Sequence, residues 1–364
     1  MSLDLGRLPA ATERTSRCCE RPFPIVDAVP RVSDGNPVRR ISTLLEPAGR
    51  VEGLPVRLAE NAGMAFIGCY VLGMGFVITP EQAQEWIADD PRNAEVLFPY
   101  LNGEDLNSRP DCSASRWVID FGTMSKDLAA QYVEPFARVE ALVQPERARG
   151  NIAYRRDSWW KFAAWAPAMR RAIADLSEVL VIALVSKTVM PVRVSASQVF
   201  SHALGVFATD DYGDQAVLSS SLHQLWAITY GSTLETRIRY TPSDVFDTLP
   251  RPTSLPVLYT LGRTLDSERR DMMMKRDMGL TQLYNLVNDR TVDGDPDVIR
   301  LRKIHAEIDA AVVAAFGWED IELEHGFHSY RQAEKWTISP VARVELLDRL
   351  VSANHRRAGY GANS

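Results

Sequence analysis

The feature that most restricts the fold of this 364-residue chain is the segment PRPTSLP, Pro250 to Pro256. Proline fixes φ and has no amide hydrogen to donate, so three prolines in seven residues interrupt any regular element. Short apolar runs separated by turn residues precede this segment, and apolar residues at helical spacing follow it. The pattern predicts an α+β chain with a domain boundary at the proline-rich segment.

Upstream of the boundary, short runs rich in aromatic and β-branched residues predict strands. A helix is predicted to start after Thr79, because Thr79 can cap it, Pro80 suits its first turn and Gln82 completes a capping box. The run FIGCYVLGMGFVI, Phe66 to Ile78, is predicted to be a hairpin that turns near Gly73. Further strands are predicted at Val96–Leu101, Arg116–Phe121, Leu180–Val185, Gly205–Thr209 and Ala216–Ser220.

Downstream of the boundary the spacing is helical. Leu258, Leu261 and Leu265 share one face of a predicted helix. Asp295-Pro296 and Ser339-Pro340 each join a capping side chain to a proline suited to the first turn, so they predict two more helix starts.

The predicted organisation has three parts. Residues 1–37 hold several prolines and no sustained helical or strand period, so they are predicted to be a disordered leader or linker. A mixed, β-rich α+β domain is predicted over residues 38–253. A mostly helical domain is predicted over residues 254–364.

The composition is ordinary for a globular protein, with 46% hydrophobic and 24% charged residues. There is no run of about 18 apolar residues that would predict a membrane span, and no signal-peptide pattern, so we expect a cytoplasmic location. No metal site is expected. The four cysteines lack the spacing of zinc ligands, and His325 and His328 fall in a segment that is predicted to be a loop.

Two motifs that an autonomous DNA methyltransferase needs are missing from the sequence. A cofactor loop places glycines between a strand and a helix start, whereas Gly73-Met74-Gly75 is followed by a further predicted strand. An adenine methyltransferase also needs an Asn/Asp-Pro-Pro-aromatic turn for the flipped base, and the sequences at Asn36-Pro37 and Asp90-Pro91 do not fit. Methyl transfer by this chain alone is therefore not expected.

The strongest local charge lies between Arg147 and Arg193, where nine basic and three acidic residues give +6 in a chain of net charge −6. Trp159, Trp160 and Trp165 interleave with the basic residues. Lysine and arginine neutralise phosphates, and arginine also reads guanine edges. The same composition suits a solvated helix face above core tryptophans, so the residues alone leave both interpretations open.

Two neighbouring runs carry a family resemblance: FPYLNGEDLN, Phe98 to Asn107, and RPDCSASRWVIDF, Arg109 to Phe121. They resemble the target-recognition region of large bacterial restriction–modification and phage-defence DNA methyltransferases, the MmeI-like type II enzymes and their relatives in the BREX and DISARM systems. The resemblance extends from about Val38 to Arg357. It includes SSSLHQLWAITYGSTL, Ser219 to Leu234, and RYTPSDVFDTLPRP, Arg239 to Pro252. No single piece would suffice, but the series in this order is specific.

The resemblance implies a target-recognition domain and a helical C-terminal domain that together grip duplex DNA. In that family a Rossmann-type methylase domain precedes them, binds S-adenosylmethionine and methylates adenine. The methylase pattern is absent from this sequence. The implied chain has no cofactor of its own and acts on double-stranded DNA with a methylase on another chain.

The residues predicted to contact DNA follow from that implied role and from the local charge. The predicted phosphate contacts are Arg147, Arg155, Arg156 and Lys161. Further candidates for DNA contact are Arg193, Arg237 and Arg239. A polar recognition loop, which either forms a turn or reads base edges, is predicted at Asn102, Glu104, Asp105 and Asn107.

Three alternatives stay open at the level of sequence. The helical part from about Ser254 onward could be a protein-interaction module that docks a methylase or defence partner. The chain could also be a remnant of a truncated methyltransferase gene. The third alternative is a free-standing DNA methyltransferase, which the missing motifs argue against.

Overall fold

A computed structural model describes residues 32–33, 36–37, 53–234, 237–253, 256–330 and 333–359. The predicted leader lies outside these residues except for one short antiparallel pair, β1 (Val32–Ser33) with β2 (Asn36–Pro37). That pair belongs to a unit of its own.

Short strands and short helices are mixed up to residue 239, and long helices dominate from residue 256 onward, which confirms the predicted α+β class. The remaining strands are β3 Ala65–Ile67, β4 Val77–Ile78, β5 Leu97–Leu101, β6 Arg116–Ile119, β7 Glu178–Ala183, β8 Val185–Ser186, β9 Val192–Ser195, β10 Val199–Phe200, β11 Leu204–Phe207, β12 Ser232–Leu234, β13 Arg237–Arg239, β14 Gly326–Tyr330 and β15 Ala333–Thr337. The helices are α1 Pro80–Asp89, α2 Gly103–Ser108, α3 Lys126–Ala129, α4 Val133–Leu142, α5 Gln144–Ala148, α6 Ala153–Asp157, α7 Pro167–Ala172, α8 Tyr212–Ser219, α9 Ser221–Tyr230, α10 Pro256–Arg276, α11 Leu280–Val287, α12 Pro296–Ala315 and α13 Pro340–Arg357.

One four-stranded sheet has the order β10-β5-β6-β4. Its strands β5 and β6 are the two predicted from the family-like runs, and they pair antiparallel with Tyr100 opposite Arg116. The short strand β10 joins β5 in parallel. Helix α1 follows β4 and starts as predicted, because the Thr79 hydroxyl accepts a hydrogen bond from the Gln82 amide.

A second four-stranded sheet has the order β3-β11-β7-β9 and is antiparallel throughout. The predicted hairpin at Phe66–Ile78 is wrong, because β3 pairs with β11 in this sheet whereas β4 pairs with β6 in the other. Gly68 marks the place where the two sheets meet. A Cβ there would overlap the Ser201 carbonyl oxygen, so only glycine permits this approach.

Two further predictions about elements are wrong. Ala216–Ser220 was predicted to be a strand but lies mostly in helix α8, which Asp211 caps by accepting from the amides of Gly213 and Asp214. The GFHSY segment was predicted to be a loop but forms strand β14, paired with β15. The predicted helix starts at Asp295 and Ser339 are confirmed, since both side chains cap their helices.

The helical part packs directly on the sheet-containing part. Helix α10 crosses α8 so closely that a Cβ on Gly262 would overlap the Tyr212 carbonyl oxygen. The buried Arg269 guanidinium, also on α10, donates to the Pro191 carbonyl at 2.9 Å. The described residues from Gly53 onward form one compact unit. The division into two domains at residues 253 and 254 therefore stays a prediction about independent folding.

Candidate nucleic-acid interface

The basic and aromatic segment forms three short helices, α5 to α7, joined by irregular backbone. Its tryptophans turn towards the interior: Trp159 is buried, and Trp160 donates from its indole to the Met124 carbonyl at 3.1 Å. The basic side chains divide by burial into anchors and accessible groups. The division decides which of them could meet DNA.

Arg147 is an anchor. It is only 5% exposed, and its guanidinium donates to the carbonyls of Val71, Leu72, Trp159 and Lys161 at 2.5 to 3.2 Å. It also lies over the Phe76 ring, and burial lowers the pKa of this guanidinium. Because both terminal nitrogens of Arg147 donate to backbone carbonyls and the side chain is buried, Arg147 holds the segment together and is not placed to reach a phosphate.

Arg193 is the second anchor, at 1% exposed. It lies on β9, donates to the Gln215 side-chain oxygen at 3.2 Å and has its guanidinium carbon 3.9 Å from the centre of the Tyr212 ring. Gln215 in turn donates to Asp266 of α10 at 3.0 Å. This buried network joins the second sheet to the helical part, so Arg193 is not placed to reach DNA.

Arg155 is half-buried and lies over the Tyr70 ring, with its guanidinium carbon 5.7 Å from the ring centre. Tyr70 meets the His202 ring edge to face at 4.6 Å. The three side chains form a basic and aromatic cluster that we call the Tyr70 cluster. An arginine held by a ring keeps its charge and donors at the surface, which suits contact with a phosphate.

Arg156 and Lys161 also lie at or near the surface. Arg156 is exposed and pairs with Asp157 at 3.2 Å. Lys161 is half-buried, and its ammonium donates to the Thr123 carbonyl at 3.1 Å. Exposed ion pairs of this kind are weak, so a phosphate can compete for the Arg156 guanidinium.

The two remaining basic candidates lie on β13. Arg239 is exposed and lies opposite Val185 of β8. The backbone of Arg237 lies opposite Leu234 of β12, and its side chain lies outside the described residues. Strands β12, β13 and β8 form a separate three-stranded sheet.

The predicted polar loop at residues 102–107 is a short helix, α2, so that prediction is wrong in form. Asn102 caps the helix by accepting from the amides of Glu104 and Asp105 at 2.8 and 3.1 Å. Asp105 is 5% exposed and accepts from the Ser115 amide, and the Asn107 side chain donates to the Gly103 carbonyl. All four of these polar side chains are described, and Glu104 is the exposed one.

The helical part of the chain packs against α2. The N-terminal end of α11 lies so close to the end of α2 that a Cβ on Gly279 would overlap backbone atoms of Ser108. Local hydrogen bonds and this contact account for the polar residues of α2. The sequence left open whether these residues form local structure or read base edges. For Asn102, Asp105 and Asn107 the structure shows the local structural role.

Sequence reasoning missed Tyr70, His202 and Arg116. Arg116 is exposed on β6, opposite the half-buried Tyr100, whose pKa burial raises. Tyr70 and His202 are far apart in the chain and meet only because Cys69 and Ser201 form an isolated parallel bridge. No local pattern signals such a meeting, whereas the strand prediction for Arg116–Phe121 placed Arg116 at a strand end.

Among the described residues, no helix is long and apolar enough to cross a membrane. Within the same ranges, no three His, Cys, Asp or Glu side chains come together so as to hold a metal ion. Cys69 and Cys112 are buried free thiols, and burial raises the pKa of each.

Comparison with known families gives a match over more than half of the chain. Residues 57–253 match the family described as MmeI, target recognition domain. The chain belongs to the MmeI target recognition domain family. The matched residues contain both four-stranded sheets, the three-stranded sheet, the Tyr70 cluster and all seven basic residues predicted to contact DNA.

A solved structure shares the fold. It is the Type IIL restriction–modification enzyme MmeI in complex with DNA, with a TM-score of 0.61 and 18% sequence identity. The similarity covers 89% of this chain and 39% of that chain, so this chain spans well under half the length of the MmeI chain. No match was found among curated protein sequences.

Proposed function

We propose that this chain is the DNA sequence-recognition part of a restriction–modification or phage-defence system built around an adenine-specific DNA methyltransferase. The observation that carries the proposal is the match of residues 57–253 to the MmeI target recognition domain. The similar MmeI structure, solved with DNA, supports the same role because its likeness extends over 89% of this chain.

The proposed DNA contacts are the basic candidates of the matched region other than the buried Arg147 and Arg193. Arg155, Arg156 and Lys161 anchor phosphates beside the Tyr70 cluster, and Arg237 and Arg239 add contacts from β13. Phosphate contacts set the position of the protein on the duplex, and base-edge contacts supply specificity. Among the polar residues of α2, the exposed Glu104 is the one we propose to read a base edge.

The chemistry is proposed to reside elsewhere. A methylase on another chain would bind S-adenosylmethionine and receive the target base, and this chain would hold the duplex in position for it. We also propose residues 38–253 as the recognition domain, residues 254–364 as a helical domain, and the cytoplasm as the location. The end of the family match at residue 253 supports the proposed boundary.

A salt-titrated selection on a pool of randomised duplexes tests the proposal. We expect the purified chain to enrich a defined motif and to lose affinity as salt rises, with a slope of about −0.9 in log K against log salt per phosphate contact. The variant Arg155→Gln removes one phosphate contact and should reduce that slope by about one.

Arg92→Gln is the matched control, because Arg92 is exposed and forms an ion pair with Asp90 two residues away. It should leave both the motif and the salt slope unchanged. Wild-type protein that enriches no motif and shows no salt dependence would overturn the proposal.

A further inference from the structure

An exposed arginine outside the proposed phosphate contacts lies at the start of strand β6. Arg116 is opposite Tyr100 of β5 in an antiparallel pair, so the two side chains project from the same face of the sheet. The Arg116 side chain is exposed, and no carboxylate of the described residues pairs with its guanidinium. Its charge and its donors are therefore open to a ligand.

A buried carboxylate holds the backbone next to Arg116. Asp105 of α2 is 5% exposed and accepts from the Ser115 amide at 3.0 Å and from the Asn102 side-chain amide at 2.8 Å. Ser115 directly precedes Arg116, and the strand pairing with β5 holds the residues that follow. A side chain that reads a base must be positioned to within about 0.5 Å, so a backbone fixed on both sides suits that role.

Contacts through Tyr100 and Ser201 connect Arg116 to the Tyr70 cluster. Burial raises the pKa of Tyr100, and the Ser201 side chain and the charge of Arg116 oppose that rise, so both lie near the Tyr100 hydroxyl. Ser201 is followed in the chain by His202, whose ring meets the Tyr70 ring at 4.6 Å. A continuous run of neighbouring side chains therefore leads from Arg116 to the cluster.

The two ends of this run suit different kinds of DNA contact. The cluster end carries Arg155, one of the proposed phosphate contacts, and phosphate contacts position a protein without reading sequence. At the other end, Arg116 follows the residue that Asp105 anchors, and Glu104, which is proposed to read a base edge, directly precedes Asp105. Arginine is the side chain whose paired donors match the O6 and N7 acceptors of guanine in the major groove.

We propose that Arg116 reads one guanine of the recognised motif by donating two hydrogen bonds to its O6 and N7 atoms. The inference rests on the proposed function and names a specificity-determining residue for it. Arg155 fixes the register of the duplex through a phosphate, and the anchored backbone at Ser115 directs the Arg116 guanidinium at the base edge.

The test repeats the salt-titrated selection on randomised duplexes with wild type, Arg116→Gln and Arg116→Lys. Arg116→Gln should lose the preference for guanine at a single position of the motif by about 10- to 100-fold. Its salt slope should equal that of wild type, because no phosphate contact is removed. Arg116→Lys keeps the charge but not the planar pair of donors, so it should keep the slope and recover only part of the guanine preference.

Arg92→Gln is the control here as well, since it removes an exposed arginine that pairs with Asp90. It should keep the preference at every position of the motif. Thermal unfolding of each variant fixes a temperature at which all of them are folded, and the selections are made there.

The outcomes separate the failure of this inference from that of the proposed function. Wild-type protein that enriches no motif overturns the proposed function and the guanine contact with it. A wild-type motif that Arg116→Gln reproduces at every position overturns the guanine contact alone. The same unchanged motif with a salt slope smaller by about one would make Arg116 a phosphate contact, which also overturns its role in base reading.

Discussion

Arginine serves two different ends in the basic segment, and burial separates them. The guanidinium of Arg147 donates to four backbone carbonyls inside the fold, whereas that of Arg156 pairs with the neighbouring Asp157 at the surface. The two residues contribute equally to the charge of the sequence segment. Their positions in the fold give one a role in stability and leave the other for a ligand.

Replacing Arg147 by methionine should therefore reduce stability, whereas replacing Arg156 should reduce DNA binding. Arg147→Met leaves buried carbonyls without a donor and should lower the free energy of unfolding by about 2 kcal/mol or more. Arg156→Met should change it by less than about 0.5 kcal/mol and instead weaken duplex binding. Urea unfolding measures the stability of both variants. Equal stability of the two would show that the Arg147 hydrogen bonds do not form.

Among the elements, the close crossing of α8 and α10 depends on Gly262, because glycine has no side chain to obstruct it. Gly262→Ala would place a methyl group against the Tyr212 carbonyl, so the helices must separate, and we expect a loss of about 1–3 kcal/mol. Gly294→Ala is the control, because a Cβ there would have no atom of the described residues within 4 Å. Guanidinium unfolding of both variants checks the difference. A Gly262→Ala protein as stable as the control would mean that the crossing is looser than described.

Element starts were predictable from sequence wherever a local cap marks them. Thr79, Asp295 and Ser339 each cap the helix that their side chain and the following proline predict. These signals act within one turn, so neighbouring residues determine them.

Elements whose identity depends on distant packing were not predictable. Helix α8 is buried on nearly all sides, so its apolar residues show no helical period and suggested a strand at Ala216–Ser220. The run from Phe66 to Ile78 suggested a hairpin because its partners, β11 and β6, lie far away in the chain. The candidate site shows the same limit: the accessible arginines were found from local charge, whereas the Tyr70 cluster arises from tertiary contacts.

At the scale of the molecule, the described residues from Gly53 onward should unfold together. The buried link from Arg193 through Gln215 to Asp266, and the bond from Arg269 to Pro191, tie the sheets to α10. Six of the eight tryptophans precede residue 254, so fluorescence follows mainly the sheet-containing part, whereas far-ultraviolet circular dichroism also follows the long helices. We expect both signals to give one midpoint in urea. Two separate midpoints would instead support independent domains.

Gly279 packs closely against Ser108, so the start of α11 and the end of α2 are in direct backbone contact. Backbone lies against backbone there, so we expect a shift of α11 to displace α2 as well. The position of the polar segment that starts at Asn102 therefore depends on the helical part of the chain. A change that displaced the helical part would therefore move the Glu104 side chain without altering any residue of α2.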